Sequence, residues 1–268
     1  MRTTLAGTLA LTLAAAAAVS AQAPVVNARV ERRSADQGVA REVQAVMARG
    51  TAAWVGYSVP LLQRTTAGLR AEWCCGRCRL EPPTELVVLG RVDAGALVEL
   101  RSLAVDCDVD AGGMPLVWLD GVTPEQSVAW LSSLVAATTP TPSRDRIPHA
   151  ALAAIAQHAS PAAAAPLVEV VRTGSTAQTR SRAISLLAQR PAEQALSTFS
   201  TAIDQDPDRQ VRRQAVAALG RLGGGGGIAR LMELARTHKD AEVRRQAMLA
   251  LGASRDPRAV EFLAALLK

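Results

Sequence analysis

The feature that most restricts the fold of this chain is an internal repeat with a period of 32 residues. The segments 208–220 and 240–252 are identical at nine of thirteen positions. The residues that keep the same register in two earlier units are Ala151, Ile155, Arg180, Ala183 and Leu187. A fixed period of this length is typical of a chain that stacks one small structural unit on the next.

Within each unit the apolar residues follow helical spacing, as Val211, Ala215, Ala218 and Leu219 do. The residues that keep the register in the second half of each unit are Leu167, Phe199, Leu231 and Leu263. Proline and glycine separate these apolar segments, so each unit is predicted to be two short helices and a turn. Because one hairpin cannot bury its apolar face alone, about four units over residues 144–268 predict an all-α solenoid, which makes the chain mostly α.

The run Asp–x–x–Val–Arg–x–x–Ala–x–x–Ala–Leu–Gly occurs at 208–220 and again at 240–252. It resembles the HEAT repeat, in the short form found in phycobilisome-lyase-like HEAT proteins. The resemblance covers 147–268 and decreases toward the N-terminal side of that range. It implies a helical scaffold whose concave face binds a protein or peptide.

Arginine recurs at equivalent positions of the repeat, at Arg180, Arg212 and Arg244. Stacking places equivalent residues one above another, which favours an internal ladder in which each arginine pairs with an acid such as Asp208 or Asp240. The alternative is a stripe that binds an anion or an acidic protein. The arginines predicted to face solvent, and so to be candidates for partner binding, are Arg213, Arg221, Arg230, Arg236 and Arg245.

The basic excess of the chain belongs to its repeat half. Residues 147–268 carry 16 basic and 10 acidic side chains, whereas residues 24–143 carry 11 and 13. A basic surface attracts anionic partners, so the partner is expected to be acidic. An exported protein rarely meets nucleic acid, and no nucleic acid is predicted to bind.

Residues 1–23 have the pattern of a secretory signal peptide. Arg2 precedes an apolar run from Leu5 to Val19, and the small residues Ala21 and Ala23 follow it. The run is shorter than the roughly 20 residues that span a bilayer, which favours cleavage near Ala23 over an uncleaved anchor. The protein is therefore predicted to be exported to the periplasm or the extracellular space, with no stable membrane span after cleavage.

Residues 24–143 are predicted to form a small α+β domain. A helix is expected over 38–49, and strands over 54–62, 85–92, 96–105 and 115–119. A capping box of Thr123 and Gln126, with Pro124 at the first helical position, predicts a helix to about Ala136. Residues 138–148 contain three prolines and are predicted to be a linker or a rigid junction to the solenoid.

All four cysteines lie in this domain, at Cys74, Cys75, Cys78 and Cys107. In an oxidising compartment they would form two disulfides, with either Cys74 or Cys75 paired to Cys107. Cys75 and Cys78 also have the C-x-x-C spacing of a thiol redox site, with Cys75 as the attacking thiol. A four-thiolate metal site is the third interpretation, but Cys107 has no neighbouring ligand.

Other catalytic or metal chemistry finds little support. None of the three histidines, His149, His158 and His238, precedes a glutamate, as the metal-dependent HEAT hydroxylases would require. Asp106, Asp108 and Asp110 alternate as in a calcium loop but lack the later glutamate. The sequence predicts no metal or other cofactor. A non-catalytic scaffold is the leading hypothesis, and a thiol-disulfide redox protein is the alternative.

Overall fold

A computed structural model of the chain describes residues 25–62, 83–104, 109–136, 146–190, 194–222 and 225–266. The elements described before residue 137 are β1 (Val25–Val26), β2 (Arg29–Ser34), α1 (Val39–Met47), β3 (Ala53–Pro60), β4 (Glu85–Asp93), β5 (Ala96–Ala104), β6 (Val109–Asp110), β7 (Pro115–Asp120) and α2 (Pro124–Ala136). This half therefore has the predicted α+β composition, and both predicted helices are present.

The main sheet of this half is mixed and has the strand order β2-β7-β3-β4-β5. β2, β7 and β3 run parallel, whereas β3, β4 and β5 are antiparallel. The turn between β4 and β5 has Ala94 and Gly95 at positive φ, as a tight hairpin requires. β2 was not predicted, because its exposed sequence Arg-Val-Glu-Arg-Arg-Ser has no apolar alternation.

The predicted capping box is confirmed at the start of α2. The backbone N–H of Gln126 donates to Thr123 Oγ1 over 3.2 Å, and the N–H of Thr123 donates to Gln126 Oε1 over 3.0 Å. Both bonds satisfy amide groups that have no partner inside the helix. The helix then buries Val128, Trp130 and Leu131 over the sheet.

The repeat half is a stack of helical hairpins, as predicted. The first helices of the described hairpins are α3 (Arg146–Gln157), α5 (Ala177–Leu187), α7 (Arg209–Leu219) and α9 (Ala241–Ala253). The second helices are α4 (Ala164–Thr173), α6 (Ala195–Gln205), α8 (Gly226–Thr237) and α10 (Pro257–Leu266). Ala151, Ala183, Ala215 and Ala247, which are 32 residues apart, are all fully buried. Small residues at this position allow the first helices to pack closely on one another.

Two glycines at the start of α8 have distinct structural roles. Gly225 has φ 79° and precedes α8, whereas Gly227 lies inside its first turn. A Cβ on Gly227 would lie 2.1 Å from the Leu219 carbonyl oxygen. Glycine is therefore required there by the close approach of α7 and α8.

The two halves of the chain share one hydrophobic core. A single cluster of buried side chains runs from Ala35 in the sheet half to Phe262 in α10. Backbone hydrogen bonds join the halves as well: Ala159 N–H donates to Pro60 O over 2.9 Å, and Leu62 N–H donates to Gln157 O over 2.7 Å. The last three residues of the predicted linker, 146–148, already belong to α3. The sheet half thus covers the N-terminal end of the helical stack.

Candidate partner-binding surface

The three equivalent arginines make the same backbone contact in successive repeats. Each donates from one guanidinium nitrogen to the carbonyl of the residue that directly follows the preceding second helix. The distances are 2.9 Å from Arg180 to Gly174, 2.9 Å from Arg212 to Asp206 and 2.7 Å from Arg244 to His238. A helix C-terminus has free carbonyls and partial negative charge, so a cation there stabilises both neighbouring elements.

The acids that meet these arginines differ from the predicted ones in part. Arg180 binds Asp206 with two hydrogen bonds of 2.7 and 3.0 Å, and Arg212 lies 3.7 Å from Asp240. Asp208 has a different role, because its carboxylate accepts the first amide groups of α7 as a helix cap. Among the described residues no acid forms an ion pair with Arg244.

Arg230 is half-buried between repeats, whereas Arg236 is exposed, as predicted, but also contacts the following unit. Arg230 pairs with Asp204 of the preceding unit at 3.1 Å and with Glu233 at 2.9 Å. The Arg236 guanidinium lies over the ring of Phe262 in the following unit, 4.6 Å from its centroid. Both side chains therefore contribute to stacking. Helical spacing could not reveal this, because the contacts cross from one unit to the next.

A shallow groove lies between the exposed sides of α7 and α9. The residues that line it are Arg209, Arg212, Arg213, Val216, Asp240, Glu242, Val243 and Gln246. Its floor is apolar, since Val216 and Val243 are buried. Its rim is dominated by arginine.

The two acids of this groove are already engaged by the protein. Asp240 caps α9, and the backbone hydrogen bond from Glu242 lowers the pKa of the Asp240 carboxyl. Glu242 accepts two hydrogen bonds from Arg245, at 2.7 and 2.9 Å, and these lower its pKa. Arg209 and Arg213 are exposed, and within the described ranges neither forms an ion pair. The groove thus offers two exposed arginines that form no ion pair among the described residues, next to two buried valines.

The remaining two predicted binding residues are exposed but differ in their contacts. Arg245 does not line the groove, but it is 61% exposed at its side chain and pairs with Glu242, which does. Arg221 lies just after α7 and is exposed. Of the five predicted residues, Arg213 therefore lines the groove and Arg245 contacts one of its acids, whereas Arg221, Arg230 and Arg236 do not line it.

The cysteine predictions concern residues outside the described ranges. Cys74, Cys75, Cys78 and Cys107 all fall there, as do Asp106 and Asp108. Asp110 is described, and its carboxylate accepts hydrogen bonds from Gly112 N–H and the Asn27 amide.

In the part of the chain that is described, no group of three or more His, Cys, Asp and Glu side chains could hold a metal ion. None of the helices described is long and apolar enough to cross a membrane.

A buried polar network that the sequence did not indicate joins the two halves. His158 Nδ1 lies 2.7 Å from the Ala154 carbonyl, and His158 Nε2 lies 2.8 Å from Ser127 Oγ. The Tyr57 hydroxyl lies 2.7 Å from the same Ser127 oxygen. A carbonyl can only accept, so Nδ1 carries the proton and Nε2 accepts from Ser127, which in turn accepts from Tyr57. Burial lowers the pKa of His158 to about 4, which keeps the imidazole neutral.

The contact between Ser127 and His158 has a structural role and lacks the features of a nucleophilic catalytic site. Ser127 and His158 are completely buried, so no substrate can reach the hydroxyl. His158 is oriented by a carbonyl, whereas the histidine of a hydrolase is oriented by a carboxylate. Next to it, Arg190 donates to the carbonyls of Ala156, His158 and Ser160 over 2.6–2.8 Å. The network fixes the turn after α3 against the sheet half.

Comparison with known proteins agrees with the repeat geometry. The family profile of HEAT repeats matches residues 164–237 and, in a second overlapping alignment, residues 196–268. A search of curated proteins finds no match to the chain. The matched range begins at α4 and leaves out α3, the helix that is packed against the sheet. Residues 164–268, in the C-terminal half of this chain, are HEAT repeats.

Proposed function

We propose that this protein is an exported, non-catalytic scaffold that binds an acidic protein or peptide at the groove between α7 and α9. HEAT repeats form helical scaffolds that generally mediate protein interactions. The observation that carries the proposal is the pair of exposed arginines, Arg209 and Arg213, beside the buried Val216 and Val243. Glutamate or aspartate side chains of a partner would pair with the arginines.

The charges of the groove support the binding of an acidic partner there. Asp240 and Glu242 are the two acids of the groove. Asp240 accepts a hydrogen bond from the first turn of α9, and Glu242 accepts one from Arg245. A partner carboxylate would therefore meet guanidinium groups that need little rearrangement. Attraction of this kind extends about 10 Å at 0.1 M salt, so we expect binding to weaken as the salt concentration rises.

Anisotropy of a fluorescein-labelled hexapeptide of alternating glutamate and leucine would test the groove. We expect the variant R209E/R213E to bind this peptide at least ten-fold more weakly than the wild type, because two attractive contacts become repulsive. The variant R172E/R182E is the matched control, since it makes the same charge change at exposed arginines outside the groove. Equal losses in both variants, or no loss in R209E/R213E, would contradict the proposal.

Export rests on the leader-like pattern of residues 1–23 and is tested separately. The intact mass of the protein recovered from the cell envelope or medium should correspond to a chain that begins at Pro24. Alkylation under denaturing conditions would then count the free thiols. Four blocked cysteines would agree with two disulfides, whereas reactive thiols at Cys75 and Cys78 would favour the redox alternative. Recovery of the protein only in the cytoplasm with residues 1–23 intact would refute export.

A further inference from the structure

The last hairpin that the structure describes exposes apolar side chains whose equivalents in the preceding hairpin are buried. Met248 in α9 is 40% exposed, whereas its equivalents Val216 and Ile184 are 1% and 0% exposed. Those two are covered because another first helix packs on them. Met248 occupies the same position of the repeat and has no such cover among the described residues.

The second helix of the last hairpin shows the same difference. Val260 is 63% exposed and its equivalent Ile228 is 4% exposed. Leu266 is 51% exposed and its equivalent Leu234 is 2% exposed. Met248, Val260 and Leu266 thus mark one surface, here called the terminal face, that has the chemistry of an interface between repeats.

Gly252 and Arg244 also lack, among the described residues, the contacts that their equivalents make with the following unit. Gly220 approaches the next unit closely, because a Cβ there would lie 3.6 Å from the Ala250 carbonyl oxygen. Its equivalent Gly252 faces open space. Arg180 and Arg212 reach acids at the start of the following unit, whereas no described acid pairs with Arg244.

The opposite end of the helical stack is already covered. α3 packs on the sheet half, and the bridge between Leu61 and His158 joins the two by backbone hydrogen bonds. A second copy therefore cannot continue the stack head to tail, since the sheet blocks the surface it would need. Two terminal faces can meet each other, which gives a closed two-fold contact in which both copies use the same patch.

We propose that the terminal face binds a second copy of this chain, so that α9 and α10 pack against their counterparts in a two-fold dimer. This contact continues the established packing of α7 and α8 on α9 and α10, with the same types of side chain. An antiparallel α9 pair would place Arg244 near the C-terminal turn of the partner's α9. Free carbonyls at a helix end are the acceptors that Arg180, Arg212 and Arg244 already use within the chain.

The size of the terminal face predicts a weak dimer. α9 has 13 residues and is therefore about 20 Å long, and two helices side by side are about 20 Å wide. The planar footprint is on the order of 400 Å² on each copy, or about 800 Å² in total, which is below the range of stable interfaces and suits a weak, transient contact. A dissociation constant in the micromolar range is the matching expectation.

Sedimentation velocity of the full chain between about 1 and 100 µM tests this inference. We expect the mass to rise toward twice that of one chain, and the variants M248E/V260E and L266E to remain monomeric with unchanged helical circular dichroism. V30E/V98E is the control, because Val30 and Val98 are equally exposed apolar residues of the sheet half. A monomeric wild type at 100 µM would overturn the inference. So would a dimer that persists in both terminal-face variants or one that the control disrupts.

Discussion

The buried imidazole of His158 makes a quantitative prediction about stability in acid. In the unfolded chain a histidine has a pKa near 6.5, whereas burial lowers the pKa of His158 in the folded protein to about 4. Between these two values the unfolded state binds one more proton than the folded state, so stability falls by about 1.4 kcal/mol per pH unit. The contribution of His158 is therefore complete above pH 6.5, decreases as the pH falls, and has been lost below about pH 4.

From pH 7.5 to pH 4.5 this one group should lower the free energy of unfolding by about 2–3 kcal/mol. The hydrogen-bond directions explain why the folded protein does not simply accept the proton. A protonated Nε2 would donate to Ser127 and could no longer accept from it. One of the two hydroxyl protons, of Ser127 or of Tyr57, would then have no acceptor in a site that water does not reach.

Urea unfolding followed by circular dichroism, at several pH values from 7.5 to 4.5, would measure this effect. The control is H158Q, whose amide can make similar hydrogen bonds but does not titrate. We expect the variant to be less stable than the wild type at pH 7.5 and to lose about 2–3 kcal/mol less on acidification, because carboxylates elsewhere titrate equally in both. Parallel pH dependence in the two proteins would refute the reasoning.

Two further substitutions test the packing between repeats, each with a matched control and with urea unfolding as the assay. G227A should destabilise the protein by about 2 kcal/mol or more, because its Cβ would overlap the Leu219 carbonyl, whereas G252A meets no atom within 4 Å and should be neutral or slightly stabilising. D206A should cost about 2–4 kcal/mol, since it leaves a largely buried arginine without its carboxylate, whereas D204A removes a more exposed pair and should cost less than about 1 kcal/mol. Equal effects within either pair would show that burial does not determine these contributions.

Much of the repeat half could be predicted because its information is local and repeated. Apolar residues three and four apart define a helix face, and a period of 32 places equivalent faces one above another, as the four buried alanines from Ala151 to Ala247 show. The start of α2 was equally predictable from the sequence, since a capping box lies within four residues. By contrast, β2 has a charged sequence and is a strand only because β7 pairs with it.

The candidate site was predictable only in part. Arg213 and Arg245 were assigned to solvent correctly, because their neighbours on the helix place them away from the buried face. The roles of Asp208 and Arg230 could not be foreseen, since they depend on which atom of the neighbouring unit comes within hydrogen-bonding distance. Spacing along one helix carries no information about that distance.

The sequence by itself determined the class of the protein: an α+β half followed by stacked helical hairpins, with the basic charge concentrated in the hairpins. Only the tertiary structure decided that the two halves form one body. Tyr57, Ser127 and His158 are far apart in the chain, and each is unremarkable within its own segment. They become a network because folding removes all three from water, where every donor must then find an acceptor.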